Sequence, residues 1–302
     1  MSEIIDRFLK LMEEKHIVFN YIQLRKNGAI VGDWKRLLVK TRLNTWSASK
    51  SFISVAVGVA RDEGLLSLDE HICDIFPEYV PANPSENLTG LTLKHMLTMT
   101  TGLTVPLFFT NDRERVETRD WAKHFFNAEF SLKPGERYLY SNFNTYMLSR
   151  AVERRAGCDM LEYMRTRIFE PLDILSPDWT RDPMGFIHAA NGLYVTIDEF
   201  ANFGEMVLNG GAFRGKRIVS EAYIREACSL HSKGEKDSEG EWGYGYQFWL
   251  LPDGVSTAAV GRYGQFVMIL PERNAVVATQ GLDDYPFNEL MMLVWHELAE
   301  KL

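Results

Sequence analysis

The 302-residue chain reads as an α+β protein: an antiparallel β-sheet flanked by N- and C-terminal helices, with an inserted, mainly helical domain. Three observations predict this. Near the start, Asn27-Gly28 joins two extended runs, and both residues tolerate the positive φ that a tight hairpin demands. Late in the chain, runs at 244–251, 255–261, 265–270 and 275–280 are separated by short connections such as Pro252-Asp253-Gly254 and Pro271-Glu272-Arg273-Asn274, and short connections make antiparallel neighbours. Between these ends lie Pro77, Pro81, Pro84, Pro106, Pro134, Pro171, Pro177 and Pro183. Proline removes a ladder donor and belongs at turns and helix starts, so this stretch is not expected to supply the sheet. The sheet domain is therefore 1–64 plus 190–302, and the helical insertion is 65–189.

The elements follow in order. Ile4, Ile5, Phe8, Leu9 and Met12 recur at helical spacing over 2–15, which predicts an amphipathic first helix. The hairpin strands cover 17–25 and 29–40. An apolar helix over 47–63 ends at Gly64, suited to a left-handed cap. Short helices are expected at 92–99, 119–127, 143–156 and 159–168. Thr196-Ile197-Asp198-Glu199 has the pattern of a capping box, opening a helix that Asn209-Gly210-Gly211 closes. Further helices are expected at 220–229 and 286–301.

Composition narrows the function. With 46% hydrophobic and 25% charged residues the chain is globular, and a formal charge of −8 gives no dominant basic face for nucleic acid. Arg113-Glu114-Arg115 and Arg214-Gly215-Lys216-Arg217 read as solvated surface. Cys73, Cys158 and Cys228 are widely spaced and read as reduced, partly buried thiols. The N-terminus lacks a secretory pattern and no apolar run approaches the ~20 residues of a membrane span, so a cytoplasmic location, no membrane partner and a small-molecule substrate are expected. Pro106 to Asp120, carrying Leu107-Phe108-Phe109, reads either as an active-site cover or as a surface loop.

Chemistry concentrates in two places. Ser47-Ala48-Ser49-Lys50 stands where polar extended chain gives way to the apolar run from Phe52. A helix starting near Ser47 puts Lys50 one turn along on the same face, so that the hydroxyl meets an amine within about 5–6 Å. A serine hydroxyl needs a base, no Gly-x-Ser-x-Gly elbow is present, and apolar packing would lower the pKa of Lys50 enough for that role. The second place is Tyr140-Ser141-Asn142. A tyrosine near Lys50 could shuttle protons for Ser47, and Asn142 could donate its amide to a substrate carbonyl. Taken singly, Ser47 also fits a helix cap, Tyr140 a core position and Asn142 a cap for the following helix. His188 reads as structural, and Trp46 fits either a cleft wall or packing beneath the helix.

Together, Ser47-Ala48-Ser49-Lys50 and Tyr140-Ser141-Asn142 resemble the serine β-lactamase and penicillin-binding protein superfamily, in its class C and class VIII esterase branch. Leu91 to Leu103, Pro134-Gly135-Glu136-Arg137 and Asn191 to Thr196 are similar to its flanking segments, so the resemblance runs from about Trp46 to Pro271. It implies a β-lactamase/transpeptidase-like fold and assigns Ser47, Lys50 and Tyr140 as catalytic. Arg262-Tyr263-Gly264-Gln265 resembles the third box. By that match Arg262, Tyr263, Gly264 and Gln265 join Asn142 in binding substrate, and the backbone NH groups of Ser47 and Gln265 form the oxyanion hole. Tyr263 stands where the family has a small residue, which weakens a preference for β-lactams.

The resulting expectation is a serine hydrolase working through an acyl-enzyme on a small ester, amide or lactam, with a β-lactamase-related esterase first. The alternatives are a β-lactamase or D-amino-acid peptidase, and a penicillin-binding-like module without turnover. This chemistry requires neither a metal nor an organic cofactor.

Overall fold

The computed structural model describes residues 2–107, 119–237 and 240–302. An eight-stranded sheet organises it. Its strands are β1 (Phe19–Lys26), β2 (Ala29–Lys35), β3 (Ser232–Asp237), β4 (Gly240–Tyr244), β5 (Trp249–Leu250), β6 (Thr257–Gly261), β7 (Gln265–Leu270) and β8 (Ala275–Gly281). The spatial order is β2-β1-β8-β7-β6-β5-β4-β3, and each neighbouring pair is antiparallel. The N-terminal hairpin thus joins the last strand, with Lys26 opposite Ala275. Asn27 and Gly28 turn the hairpin with φ of 52° and 75°, the left-handed pair that matches strand twist.

Strand periodicity sorts the core into two clusters. Along β7, Val267 and Ile269 enter one cluster while Phe266, Met268 and Leu270 enter the other, as alternate side chains must. The second cluster is closed by α1 (Ser2–Glu14), through Ile5, Phe8 and Met12, and by the C-terminal helix Phe287–Glu297. The first is closed by α2 (Ser49–Asp62), α3 (Asn142–Ala156) and α4 (Ile197–Leu208), after which the C-terminal helix is α5. Phe52 of α2 stacks on Phe203 of α4 with ring centroids 3.8 Å apart. The capping box at α4 is formed: Glu199 N donates to Thr196 Oγ1, and Thr196 N donates to Glu199 Oε2 at 2.8 Å. Gly64 follows α2 with φ 73°.

The structure corrects several expectations. The run 244–251 is not one strand. It breaks at Gly245–Phe248, where Gln247 adopts φ 61° and is buried. Its side-chain amide donates to the Met96 and Leu97 carbonyls and accepts from Thr145 Oγ1 at 2.6 Å, so contacts with the helical region override the local strand preference. Strands β3 and β4 were not anticipated, because Ser-Lys-Gly-Glu-Lys-Asp has no apolar alternation. The second hairpin strand stops at Lys35, and the guanidinium of Arg36 turns back to Asn20 Oδ1. The helix expected at 159–168 is Met160–Met164, followed by a wider π-type turn over Arg165–Phe169. The proline-rich middle gives the main sheet no strand, yet Asp178–Trp179 pairs with Leu193–Val195, which pairs with Leu43–Asn44 in a separate small sheet. Cys158 is exposed, not partly buried. Arg113-Glu114-Arg115 and most of the 106–120 segment lie outside the described residues.

Gly204 marks the closest approach of α4 to the sheet. A Cβ there would lie 2.4 Å from Val267 Cγ1 and 2.8 Å from Val276 Cγ1. Gly204→Ala is expected to lower stability by about 1–3 kcal/mol through overpacking, despite alanine's better helix propensity. Guanidinium unfolding checks this; an unchanged or raised midpoint would contradict the packing.

Candidate active site

The serine sits on a constrained turn. After the short strand Leu43–Asn44, Asn44 Oδ1 accepts from Trp46 N at 2.9 Å and from Gly192 N at 3.1 Å. Trp46 adopts φ 49°, uncommon for a bulky residue, and Trp46–Ala48 forms a 3₁₀ turn before α2 starts at Ser49. Ser47 therefore precedes the α-helix instead of opening it. The end of β6 lies directly against this turn: a Cβ on Gly261 would be 2.1 Å from the Thr45 carbonyl oxygen. Only glycine lets the two backbones meet so closely.

Lys50 points from the first turn of α2 back to Ser47, its Nζ 2.9 Å from Ser47 Oγ and 2.8 Å from the Ala190 carbonyl oxygen. The residue is 1% exposed. Burial pulls its pKa well below the ordinary 10.5, because the charged form loses its hydration. The neighbouring hydroxyl of Ser49 donates to the Ala189 carbonyl at 2.8 Å, so two α2 side chains hold the 189–190 backbone in place.

Tyr140 comes from the other side, just ahead of Ser141, the residue that precedes α3. Its hydroxyl hydrogen-bonds with Ser47, while burial pushes its pKa above the ordinary phenol value. Lys50 Nζ lies 4.9 Å from the ring centroid. Tyr244 meets the Tyr140 ring edge-on at 6.2 Å and Trp249 lies alongside at 5.9 Å. The opposed shifts favour a neutral amine beside a neutral phenol, both in contact with one hydroxyl.

Ser47 and Tyr140 line a cleft of about 690 Å³. Asn142, Arg262, Tyr263 and Gly264 line it, and so does Trp46. Tyr263 has φ 61° and packs edge-to-face on Trp46 at 5.1 Å. Gln265 is placed differently. It is 2% exposed, begins β7 opposite Gly261 and donates its side-chain amide to the Tyr263 and Gly281 carbonyls, while its neighbours Gly264 and Phe266 line the cleft. Arg262 is not an isolated cation: its Nε and Nη2 donate to Asp284 Oδ1 at 3.1 Å and Oδ2 at 2.5 Å. His188 is buried, edge-on to Trp121 at 5.4 Å.

Asn191, Trp249, Asp284, Tyr285 and Phe287 also line the cleft, and sequence reasoning passed over them as site residues. Asn191 lay in a segment already noted for its resemblance. Tyr285-Pro286-Phe287 carried one further signal, an aromatic pair about the residue that starts a helix, but nothing local places that helix start beside Ser47.

Known proteins share this fold. A curated relative, the 6-aminohexanoate-dimer hydrolase of Paenarthrobacter ureafaciens, is 24% identical over 254 residues, or 76% of this chain; the chain spans 64% of that protein's length. Among solved structures, EstCE1, a hydrolase with promiscuous acyltransferase activity, superposes with a TM-score of 0.79 at 15% identity, covering 98% of each chain. The octameric penicillin-binding protein homologue from Pyrococcus abyssi gives 0.75 at 21% identity, covering 99% of this chain and 77% of its own. The family model Beta-lactamase matches residues 6–286, and with a match over nearly the whole chain this protein belongs to the Beta-lactamase family.

Proposed function

We propose that the protein is a β-lactamase-related serine esterase working through a covalent acyl-enzyme. The observation that carries this reading is the joint contact of Lys50 and Tyr140 with the Ser47 hydroxyl, with burial favouring the neutral form of each. The neutral amine of Lys50 accepts the Ser47 proton as Oγ attacks the substrate carbonyl. The backbone NH of Ser47 and a second NH from the Arg262–Gly264 turn hold the developing oxyanion. The resemblance assigns that second NH to Gln265, and the turn just before it lines the cleft. Tyr140 passes its proton to the leaving oxygen and regains one from the Lys50 ammonium. In the second half-reaction a water gives a proton to Lys50 as it attacks the acyl carbon, and Tyr140 returns its own proton to the departing Ser47 Oγ and regains one from the Lys50 ammonium, which restores the resting site. Small carboxylic esters rank first as substrates because the aromatic cleft and the bulk of Tyr263 suit an apolar, uncharged molecule. Amide hydrolysis is the second reading, favoured by the likeness to a dimer hydrolase.

Ser47→Ala is expected to lower turnover of a short-chain aryl ester by about 10³-fold or more and to abolish mass gain from a fluorophosphonate. Labelling of the alanine variant at the wild-type rate would remove Ser47 from the mechanism.

Tyr140→Phe keeps the packing but deletes the proton donor, so kcat should fall about 10²–10³-fold. Single-turnover acylation kinetics measure it directly, and a change under threefold would exclude Tyr140 from proton transfer.

The Lys50 shift also has a stability consequence. Its folded pKa lies below its unfolded value, so the folded state releases a proton that the unfolded chain keeps. Burial of the amine therefore costs most below the folded pKa, and the cost fades as pH rises through that value towards 10.5. Lys50→Met is expected to abolish activity yet raise stability by about 1–3 kcal/mol at neutral pH, with a smaller gain at alkaline pH. Urea unfolding across pH tests the sign. Wild-type kcat/KM should rise with pH through the same depressed value.

A further inference from the structure

Two charged side chains, Arg262 and Asp284, are among the described residues lining the cleft, and they are bound to each other. The pairing is two-pronged, Nε to Oδ1 and Nη2 to Oδ2, which uses one edge of the guanidinium fork that a carboxylate would otherwise dock on. Both side chains stand at the solvent side, 50% and 59% exposed. The guanidinium also lies 4.9 Å over the Tyr263 ring, so it is fixed above the floor of the cleft by an aromatic face and a carboxylate. Around it the walls are Trp46, Tyr285 and Phe287, and the whole chain carries −8. An incoming anion therefore meets a neutral pair instead of a free cation, within a negative overall field.

Resting on the esterase reading above, we propose that Asp284 masks Arg262, so that the cleft selects uncharged esters with an apolar acyl group and rejects carboxylate-bearing ones. The masking is reversible by one substitution. Exposed ion pairs contribute little to stability, so removing Asp284 leaves the fold in place while uncovering a fork pointed at the cleft. The Asp284 carboxyl is held below its usual range by the same guanidinium, which keeps the mask ionised at neutral pH.

The test compares 4-nitrophenyl butyrate with mono-4-nitrophenyl glutarate, whose acyl chain ends in a carboxylate, and reads the ratio of their kcat/KM values. Wild type should favour the butyrate. In Asp284→Asn the glutarate-to-butyrate ratio should rise about tenfold, the scale of one charge-assisted hydrogen bond. The gain should shrink in about 0.5 M salt, where the Debye length falls to a few ångström. Arg262→Gln leaves Asp284 unopposed and should push the ratio below wild type, and Asp284→Asn combined with Arg262→Gln should lose the gain. A ratio unchanged within twofold in Asp284→Asn, or a gain that survives in the double variant, overturns the masking. Failure of the esterase reading has a different signature: wild type turns over neither ester and Ser47 takes no fluorophosphonate.

Discussion

The site depends on one costly arrangement, a lysine amine buried to 1% exposure beside a serine hydroxyl. A charged ammonium in such surroundings would be heavily penalised, and the structure offers it a backbone carbonyl and a hydroxyl but, among the described residues, no carboxylate partner. In the proposed esterase mechanism that penalty is what would let the amine act as a base, because burial lowers its pKa well below the ordinary value. Contacts around α2 keep the amine buried: Phe52 stacks on Phe203, the Ala189 and Ala190 carbonyls accept from Ser49 and Lys50, and the Tyr140 ring centroid lies 4.9 Å from Nζ.

A second constraint is the near collision between the serine turn and the end of β6. Gly261 permits the contact, and Trp46 and Tyr263 each accept a left-handed backbone on either side of it. Such conformations persist only when the surroundings over-determine them. Here the two aromatic rings brace each other edge-to-face, so the strained residues double as walls of the cleft. The β6–β7 turn thus faces the hydroxyl with backbone on its floor and aromatic carbon around it.

Much of the fold was legible because its signals are local. Asn27-Gly28, the Thr196–Glu199 capping box, Gly64 and the continuous apolar run within Gln265–Leu270 each act through a few neighbouring residues, and each appears where the sequence puts it. The break at Gln247 was not legible, since its amide is satisfied by carbonyls about 150 residues away. Strands β3 and β4 were missed for the complementary reason: their pairing comes from the sheet's growing edge and not from their own hydrophobic pattern.

The sequence by itself determined which residues could do chemistry here. Ser47, Lys50 and Tyr140 stand in motifs that resemble the family's, and a hydroxyl and an amine three residues apart fall on the same face of a helical turn. Only the tertiary structure decided their electrostatics and company. Whether Lys50 is hydrated or buried, whether Arg262 is free or held by Asp284, and which aromatic side chains close on the hydroxyl all depend on segments distant in the chain brought to the same few ångströms. Desolvation and charge pairing are properties of that assembled surface and not of any single stretch of residues.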